Sequence, residues 1–167
     1  SDDRNFGIKY EQCEYITFID SDDTISPNCI KILVTEAIKN NADIVQCQFA
    51  LREKLLETGT RKTTVYVGLD GFRQFLIIGK VYVASCGKLY RRELFSDICF
   101  PYGRINEDTC TTYKLLYKSR ITVCLDYSLY WHRMRKGSIM HTAFSDKNLE
   151  VLNVENEIKD FLGKIWH

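Results

Sequence analysis

The chain has 167 residues, of which 45% are hydrophobic and 13% aromatic, so we expect one folded domain with a core of its own. Its 23 basic and 22 acidic residues leave a net charge of +1, which gives no overall attraction to nucleic acid, and we expect no nucleic-acid partner. The sequence contains no signal peptide and no apolar run long enough to cross a bilayer, so we expect a cytoplasmic protein.

The seven cysteines are widely spaced, and none of them forms a C-x-x-C pair. Most have apolar neighbours in the sequence. We therefore expect buried, reduced thiols in a cytosolic protein rather than disulfides or zinc ligands.

An acidic cluster follows the first apolar strand. Residues 15–19 are β-branched and aromatic, which is typical of a buried strand, and Asp20, Ser21, Asp22 and Asp23 follow directly. Ligands of open α/β sheets bind at the carboxyl ends of strands, where crowded carboxylates repel one another unless a cation lies between them. The pattern favours Mg²⁺ or Mn²⁺ that also holds a phosphate. The alternative is a polar turn that caps the next helix.

Strands and helices are predicted to alternate after this turn. Ser26 and Pro27 suit the N-cap and first position of a helix that ends at Asn40 and Asn41. The later predicted elements are a strand over 43–49, an exposed excursion or hairpin over 52–64, a helix capped by Asp70, extended runs over 121–125 and 128–132, and a helix over 145–166.

A second acidic pair opens a predicted helix. Asn106 can cap a helix that runs to about Lys118, with Glu107 and Asp108 in its first turn. The helix dipole favours negative charge there, which is a sufficient structural reason for both residues. The functional alternative is a general base that accepts a proton from a substrate hydroxyl.

A basic segment, residues 130–138, combines arginines with a glycine hinge. Guanidinium groups bind phosphate bidentately, and a Gly-Ser loop can close over a ligand. Taken alone, such a run is also typical of a solvated basic face.

Taken in order, these motifs resemble those of family 2 glycosyltransferases with the GT-A fold. The residues that carry the resemblance are Arg4-Asn5-Phe6-Gly7 (R-N-x-G), Asp20-Ser21-Asp22 (D-x-D), 87–95 and 100–104 (the acceptor side), Glu107-Asp108 (E-D), and 130–139 (a basic gate ending in G-S-I). The resemblance implies an α/β fold: a partial GT-A, Rossmann-like sheet with flanking helices over 1–144. Residues 145–167 would form a C-terminal amphipathic helix packed on it.

The resemblance also implies an activity. A sugar would pass from a nucleotide-sugar donor, a UDP-sugar first of all, to a hydroxyl of a glycan or lipid-linked saccharide acceptor, with inversion. The setting would be bacterial polysaccharide or cell-surface glycan synthesis in the cytoplasm, with at most peripheral association at the inner face of the membrane.

Particular side chains receive roles from the resemblance. Asp108 would be the catalytic base, with Glu107 beside it. The metal ligands for Mn²⁺ or Mg²⁺ would be Asp20, Asp22 and His132. The donor-binding residues would be Arg4, Ser21, Asp23, Arg133, Arg135 and Ser138. The acceptor-binding residues would be Lys88, Tyr90 and Arg104.

The sequence departs from the family at its beginning. Family members start with further βα units that form the nucleotide pocket, and at about 30 residues per unit we expect a substantial N-terminal portion to be missing. The chain alone would then be nearly inactive, and its open sheet edge could pair with a second copy to give a homodimer.

Two other interpretations stay open. A degenerate glycosyltransferase half could bind a glycan or a partner without turnover. Alternatively, Asp20-Ser21-Asp22-Asp23-Thr24 fits the nucleophile motif of haloacid-dehalogenase-like phosphatases, in which Asp20 would attack phosphorus.

Overall fold

The computed structural model describes residues 2–104, 106–133 and 150–165. The chain forms an α/β structure, as the sequence predicted. In chain order its elements are α1 (Asp2–Tyr10), β1 (Tyr15–Thr17), β2 (Thr24–Ile25), α2 (Cys29–Asn40), β3 (Ile44–Ala50), β4 (Lys62–Val67), α3 (Asp70–Arg73), β5 (Lys88–Arg91), α4 (Glu107–Lys118), β6 (Ile121–Trp131) and α5 (Glu150–Ile165). Short 3₁₀ turns cover Glu53–Leu55 and Arg92–Phe95, and a wider π turn, Gln74–Ile78, extends α3.

One mixed sheet forms the centre of the fold, with strand order β1-β5-β3-β6-β2 and with β4 also paired to β6. β3 and β6 run parallel, and the other pairs are antiparallel. Since β4 pairs with the first part of β6 and β2 with its end, the two extended runs predicted for 121–132 form one strand, Ile121–Trp131. In the described part of the chain β1 is an edge strand, and its pairing with a second copy stays a prediction.

Apolar side chains cover both faces of the sheet. On one face α2 packs Leu33 and Ala37 against Val45 and Leu129, all at most 1% exposed. On the other face α4 packs Leu115 and Leu116 in a core that also holds aromatic rings of β5 and of the loop before α4. Burying each of these leucine side chains contributes about 1.5–3 kcal/mol to the stability of the fold. These two layers therefore hold the strands, and the polar residues that follow them, in place.

The helix predicted to start at Ser26 begins later, at Cys29. The Ser26 backbone N–H donates to the Leu129 carbonyl at 2.9 Å, which extends the pairing of β2 with β6 by one residue. The Ser26 hydroxyl then accepts a bond from the Asn28 N–H at 3.0 Å and closes a turn ahead of the helix. Ser26 therefore acts as a turn residue, because the sheet still holds its backbone.

Two other predicted caps mark helix starts without making a capping bond. The helix predicted to follow Asp70 begins at Asp70 itself, whose carboxylate binds Arg73 at 3.0 Å. Asn106 precedes α4 in the left-handed conformation, with φ of 61°, and its side chain makes no cap bond. The polar excursion predicted over 52–64 becomes a 3₁₀ turn followed by β4.

The cysteines are free thiols. Cys29, Cys47, Cys86 and Cys110 are buried, as expected, whereas Cys13 and Cys99 are exposed. None of the helices in the described ranges has the length and apolar character needed to cross a membrane.

The C-terminal helix α5 covers the second core layer. Its Phe161 ring lies 5.1 Å from the rings of Tyr113 and Tyr117 of α4. Glu157 of the same helix accepts a hydrogen bond from Arg104 at 2.6 Å. These contacts attach α5 to the helix that begins with Glu107 and Asp108.

Candidate active site

Arg4 joins the two acidic motifs. One guanidinium nitrogen, Nη2, lies 3.0 Å from Asp20 Oδ1, and the other, Nη1, lies 2.9 Å from Glu107 Oε1 and 2.5 Å from Asp108 Oδ1. Burial alone would lower the pKa of Arg4, but the carboxylates of Asp108, Asp20 and Glu107 outweigh it and raise that pKa. The residues after β1 and those at the start of α4 therefore form one site around a permanent cation.

Helix α1 holds Arg4 in this place. The Asn5 side chain both donates to the Phe100 carbonyl, at 2.8 Å, and accepts from the Phe100 N–H, at 2.9 Å. The Arg4 guanidinium also lies over the rings of Phe18 and Phe100, at 5.8 and 5.3 Å from their centroids. The R-N pair of the R-N-x-G motif thus has a direct structural function. Arg4 was predicted to bind the donor, and its contacts instead engage it with protein carboxylates.

Asp108 is also held from the opposite side. The Ser85 hydroxyl donates to Asp108 Oδ1 at 2.7 Å, and the Ser85 backbone N–H donates to Oδ2 at 3.1 Å. Ser85 is fully buried, while the Asp108 side chain is 24% exposed. Asp108, Glu107 and Arg4 line a cavity of about 320 Å³. No sequence signal marks Ser85, which carries no charge and lies outside every motif.

The Asp23 side chain is buried and bonded to the end of β6, and its donor-binding role stays a prediction. Its carboxylate has no solvent exposure. Oδ2 accepts the Tyr130 hydroxyl at 2.6 Å and faces His132 Nδ1 at 3.1 Å, and Oδ1 accepts the Arg133 backbone N–H at 3.0 Å. Asp23 thereby attaches the acidic turn to the end of β6.

The contact with Asp23 decides which nitrogen of His132 is protonated. A carboxylate can only accept, so Nδ1 carries the proton, and in the neutral ring Nε2 keeps its lone pair. The imidazole is 48% exposed. Histidines that bind metals are usually oriented in this way by a carboxylate on the second nitrogen.

Cation ligands are available near Asp20. Ligand atoms of Asp20, Asp23 and Cys86 lie within 4.8 Å of one another. Burial raises the pKa of Cys86 to about 11, and a neutral soft thiol does not suit Mg²⁺ or Mn²⁺. Since Asp23 is bonded to the end of β6, the hard donor of this group that stays available to a cation is the 39% exposed carboxylate of Asp20. Neither Asp22 nor His132 belongs to the group, so the structure does not bring the three predicted ligands together, and the role of His132 stays a prediction. Asp22 stays a predicted ligand.

Lys88 and Tyr90 do not reach the surface, which corrects their predicted contact with an acceptor. Both are 0% exposed on β5. The Lys88 ammonium donates to the Ala84 carbonyl, and the Tyr90 hydroxyl donates to the Ser85 carbonyl at 3.2 Å. Burial lowers the pKa of Lys88 to about 8. Both side chains support the backbone beside Asp108 instead.

The other predicted site residues are placed as follows. Ser21 is exposed in the acidic turn. The Arg133 guanidinium lies 5.4 Å from the Trp131 ring centroid, and Arg104 is bonded to α5. Their roles stay predictions, and Arg135 and Ser138 lie outside the described residues.

The turn after β1 and the start of α4 bring carboxylates together, which defines a class: an α/β protein with an acidic cluster beside its sheet. Residues 1–99 match the family model described as "Glycosyl transferase family 2", and the chain belongs to this family.

Curated relatives agree with this assignment. The chain is 28% identical over 155 residues to the glycosyltransferase GlyG of Streptococcus pneumoniae serotype 4. This alignment covers 84% of this chain and 50% of GlyG. The chain is 27% identical, over an alignment of 178 positions, to the putative glycosyltransferase EpsH of Bacillus subtilis. This alignment covers 95% of this chain and 51% of EpsH. The chain thus spans about half the length of these two relatives.

Solved structures show the same fold. The structure of Staphylococcus aureus TarS 1–349 in complex with UDP-GlcNAc matches with a TM-score of 0.66 and 23% identity, over 85% of this chain and 41% of that chain. The TarS 1–349 complex with UDP matches with a TM-score of 0.62 and 18% identity, over 92% of this chain and 43% of that chain. The GT-A fold expected from the sequence is confirmed.

Proposed function

We propose that the full-length protein transfers a sugar, with inversion, from a UDP-sugar to a hydroxyl of a glycan or lipid-linked saccharide. The observation that carries the proposal is the Arg4 bridge, which brings Asp20 of the acidic turn together with Glu107 and Asp108. A donor diphosphate and an acceptor hydroxyl must meet at one place, and the bridge joins a candidate group for each. The TarS complexes with UDP-GlcNAc and UDP support a uridine nucleotide as the donor.

In this proposal Asp108 is the base. Its partly exposed carboxylate lines the cavity beside α4, where an acceptor hydroxyl could approach. Proton transfer to it as the hydroxyl oxygen attacks the anomeric carbon would contribute about 10²–10⁴-fold to the rate. Glu107 shares Arg4 with Asp108 and helps to fix the start of α4.

Mn²⁺ or Mg²⁺ is the proposed cofactor, held by Asp20, Asp22 and His132 Nε2. When bound, the cation supplies charge neutralisation for the nucleotide diphosphate as it departs. Asp23 would set the orientation of His132 through its bond to Nδ1. Arg133, with Arg135 and Ser138, would contact the same diphosphate.

The phosphatase alternative fits these contacts less well. It needs Asp20 as a nucleophile and a lysine that reaches the phosphate. Lys88 is buried with its ammonium on the Ala84 carbonyl, and the second acidic pair, which such phosphatases carry at a strand end, opens helix α4. Family membership and these contacts favour glycosyl transfer.

A donor screen tests the proposal. The full-length protein is incubated with Mn²⁺ and a panel of nucleotide sugars, and release of the nucleoside diphosphate is measured with and without candidate saccharide acceptors. Asp108→Asn, which is nearly isosteric, should bind the same donor while transfer falls by at least about 10²-fold. A wild-type protein that binds a nucleotide sugar but never turns it over would instead support a binding remnant.

A further inference from the structure

A segment whose backbone is held by several buried side chains lies beside Asp108. We call residues 80–86 the strap. Side chains of β3, β5 and α4 hold its backbone through these bonds: Tyr82 N–H to Gln46 Oε1 (2.7 Å), Gln46 Nε2 to Lys80 O (3.0 Å), Thr112 Oγ1 to Val83 O (2.7 Å), Lys88 Nζ to Ala84 O, and Tyr90 Oη to Ser85 O (3.2 Å). Gln46, Lys88, Tyr90 and Thr112 are at most 1% exposed. The strap is therefore a fixed backbone, and Ser85 is presented to Asp108 in a defined place.

The two oxygens of Asp108 are not equivalent. Oδ1 accepts from both Arg4 Nη1, at 2.5 Å, and the Ser85 hydroxyl, at 2.7 Å. Oδ2 accepts from the Ser85 backbone N–H at 3.1 Å, its one bond within the described part of the chain. A carboxylate has about two lone-pair positions on each oxygen, so Oδ2 keeps one position for a further donor.

We propose that Ser85 is a positioning residue that fixes the Asp108 carboxylate so that Oδ2 receives the proton of the acceptor hydroxyl. This inference rests on the proposed function, in which Asp108 is the base. The proton leaves the acceptor oxygen for Asp108 Oδ2 as that oxygen bonds to the anomeric carbon. The bond between the anomeric carbon and the nucleotide diphosphate breaks, and its electron pair leaves with the diphosphate. Ser85 does not contact the reacting atoms and acts through Asp108.

A competing arrangement explains why such a residue is needed. Carboxylate rotation about the last side-chain torsion is broad, and arginine prefers to bind a carboxylate with two parallel hydrogen bonds. Without the Ser85 hydroxyl, the Ser85 backbone N–H is the one strap bond left to oppose a rotation of the Asp108 carboxylate that offers both oxygens to Arg4. That rotation would occupy the oxygen that the acceptor hydroxyl requires.

The chain offers a matched control for the test. Ser85→Ala removes the hydroxyl on Asp108, whereas Thr112→Val removes an equally buried hydroxyl that holds the strap at Val83 without touching Asp108. In the full-length protein Ser85→Ala should lower kcat about 10²-fold, the scale of a misplaced catalytic group, with donor KM within about twofold of wild type. Thr112→Val should leave kcat within about threefold of wild type, because the other four bonds still hold the strap and Asp108 keeps both Ser85 bonds.

A double-mutant cycle separates positioning from a structural effect. In the Asp108→Asn background, Ser85→Ala should cause little further loss, because both changes act on one group. If Ser85→Ala does not fold, Ser85→Cys keeps a donor at the same position, larger and weaker than the hydroxyl, and should give an intermediate kcat. Equal kcat values for wild type and the Ser85 variant, or additive losses in the cycle, would overturn the inference.

A crystal structure of the Ser85→Ala variant gives a readout that does not depend on activity. We expect the Asp108 carboxylate to be rotated toward Arg4, and an unchanged carboxylate would overturn the inference. Failure of the proposed function would look different, since wild-type protein would then transfer no sugar from any donor.

Discussion

Replacing Arg4 tests the contact on which the whole site depends. Arg4→Met removes three charged hydrogen bonds, of 3.0, 2.9 and 2.5 Å, and leaves Asp20, Glu107 and Asp108 close together without a cation. At about 1.5–3 kcal/mol each, such bonds set an upper bound of about 4.5–9 kcal/mol. Burying the guanidinium offsets part of this, so we expect the free energy of unfolding to fall by about 3–5 kcal/mol.

Two further variants make the measurement specific. Arg4→Lys keeps a positive charge but loses the planar fork, and it should recover only part of the stability. Arg73→Met breaks the Arg73–Asp70 pair, whose side chains are both 56% exposed, and should cost less than about 1 kcal/mol.

The assay is urea unfolding of the full-length protein, followed by circular dichroism at neutral pH. The reasoning fails if Arg4→Met unfolds within about 1 kcal/mol of wild type, or if it matches Arg73→Met.

Four other substitutions probe further parts of the molecule. Asp22→Asn should abolish Mn²⁺-dependent binding of UDP in calorimetry. Asp23→Asn should weaken Mn²⁺ binding about tenfold, because His132 loses the bond that orients its ring. Unchanged binding in both variants would contradict the metal proposal. Glu107→Gln should reduce transfer less than Asp108→Asn, and the reverse order would move the base to Glu107. Burial would raise the pKa of Asp43, but the Arg120 bonds outweigh it and lower that pKa. The stability that the Asp43 carboxylate contributes is therefore complete above the ordinary pKa of aspartate, and it is lost as the pH falls through the lowered pKa of the folded state. The free energies of unfolding of wild type and Asp43→Asn should differ at pH 7 and converge in acid.

Local patterns predicted the elements well. The predicted strand over 15–19 forms as Tyr15–Thr17 and ends two residues earlier than expected, and the apolar spacing of Leu33 and Ala37 is the buried face of α2. Where local signals failed, a partner remote in sequence was the cause. Ser26 has the chemistry of a helix cap, yet Leu129 keeps its backbone in the sheet.

The chemical roles were harder to predict than the elements. Lys88 and Tyr90 look like surface residues of a basic, aromatic motif, and only the packing of β5 between β1 and β3 shows that both are buried. Ser85 has no sequence signal at all. Its importance comes from the fold, which places it beside a carboxylate on another element.

Arg4 connects these observations to the chemistry. A site that holds a diphosphate next to a base needs negative side chains close together, and their repulsion must be balanced before any substrate arrives. Arg4 supplies that balance from α1, anchored through Asn5 and Phe100. The same guanidinium would bind both oxygens of the proposed base, Asp108, if nothing opposed it. Ser85 supplies the opposing bonds from a strap that Lys88 holds. The buried residues of the site thus set where its exposed carboxylates point, and for that reason the acidic motifs alone do not define the active geometry.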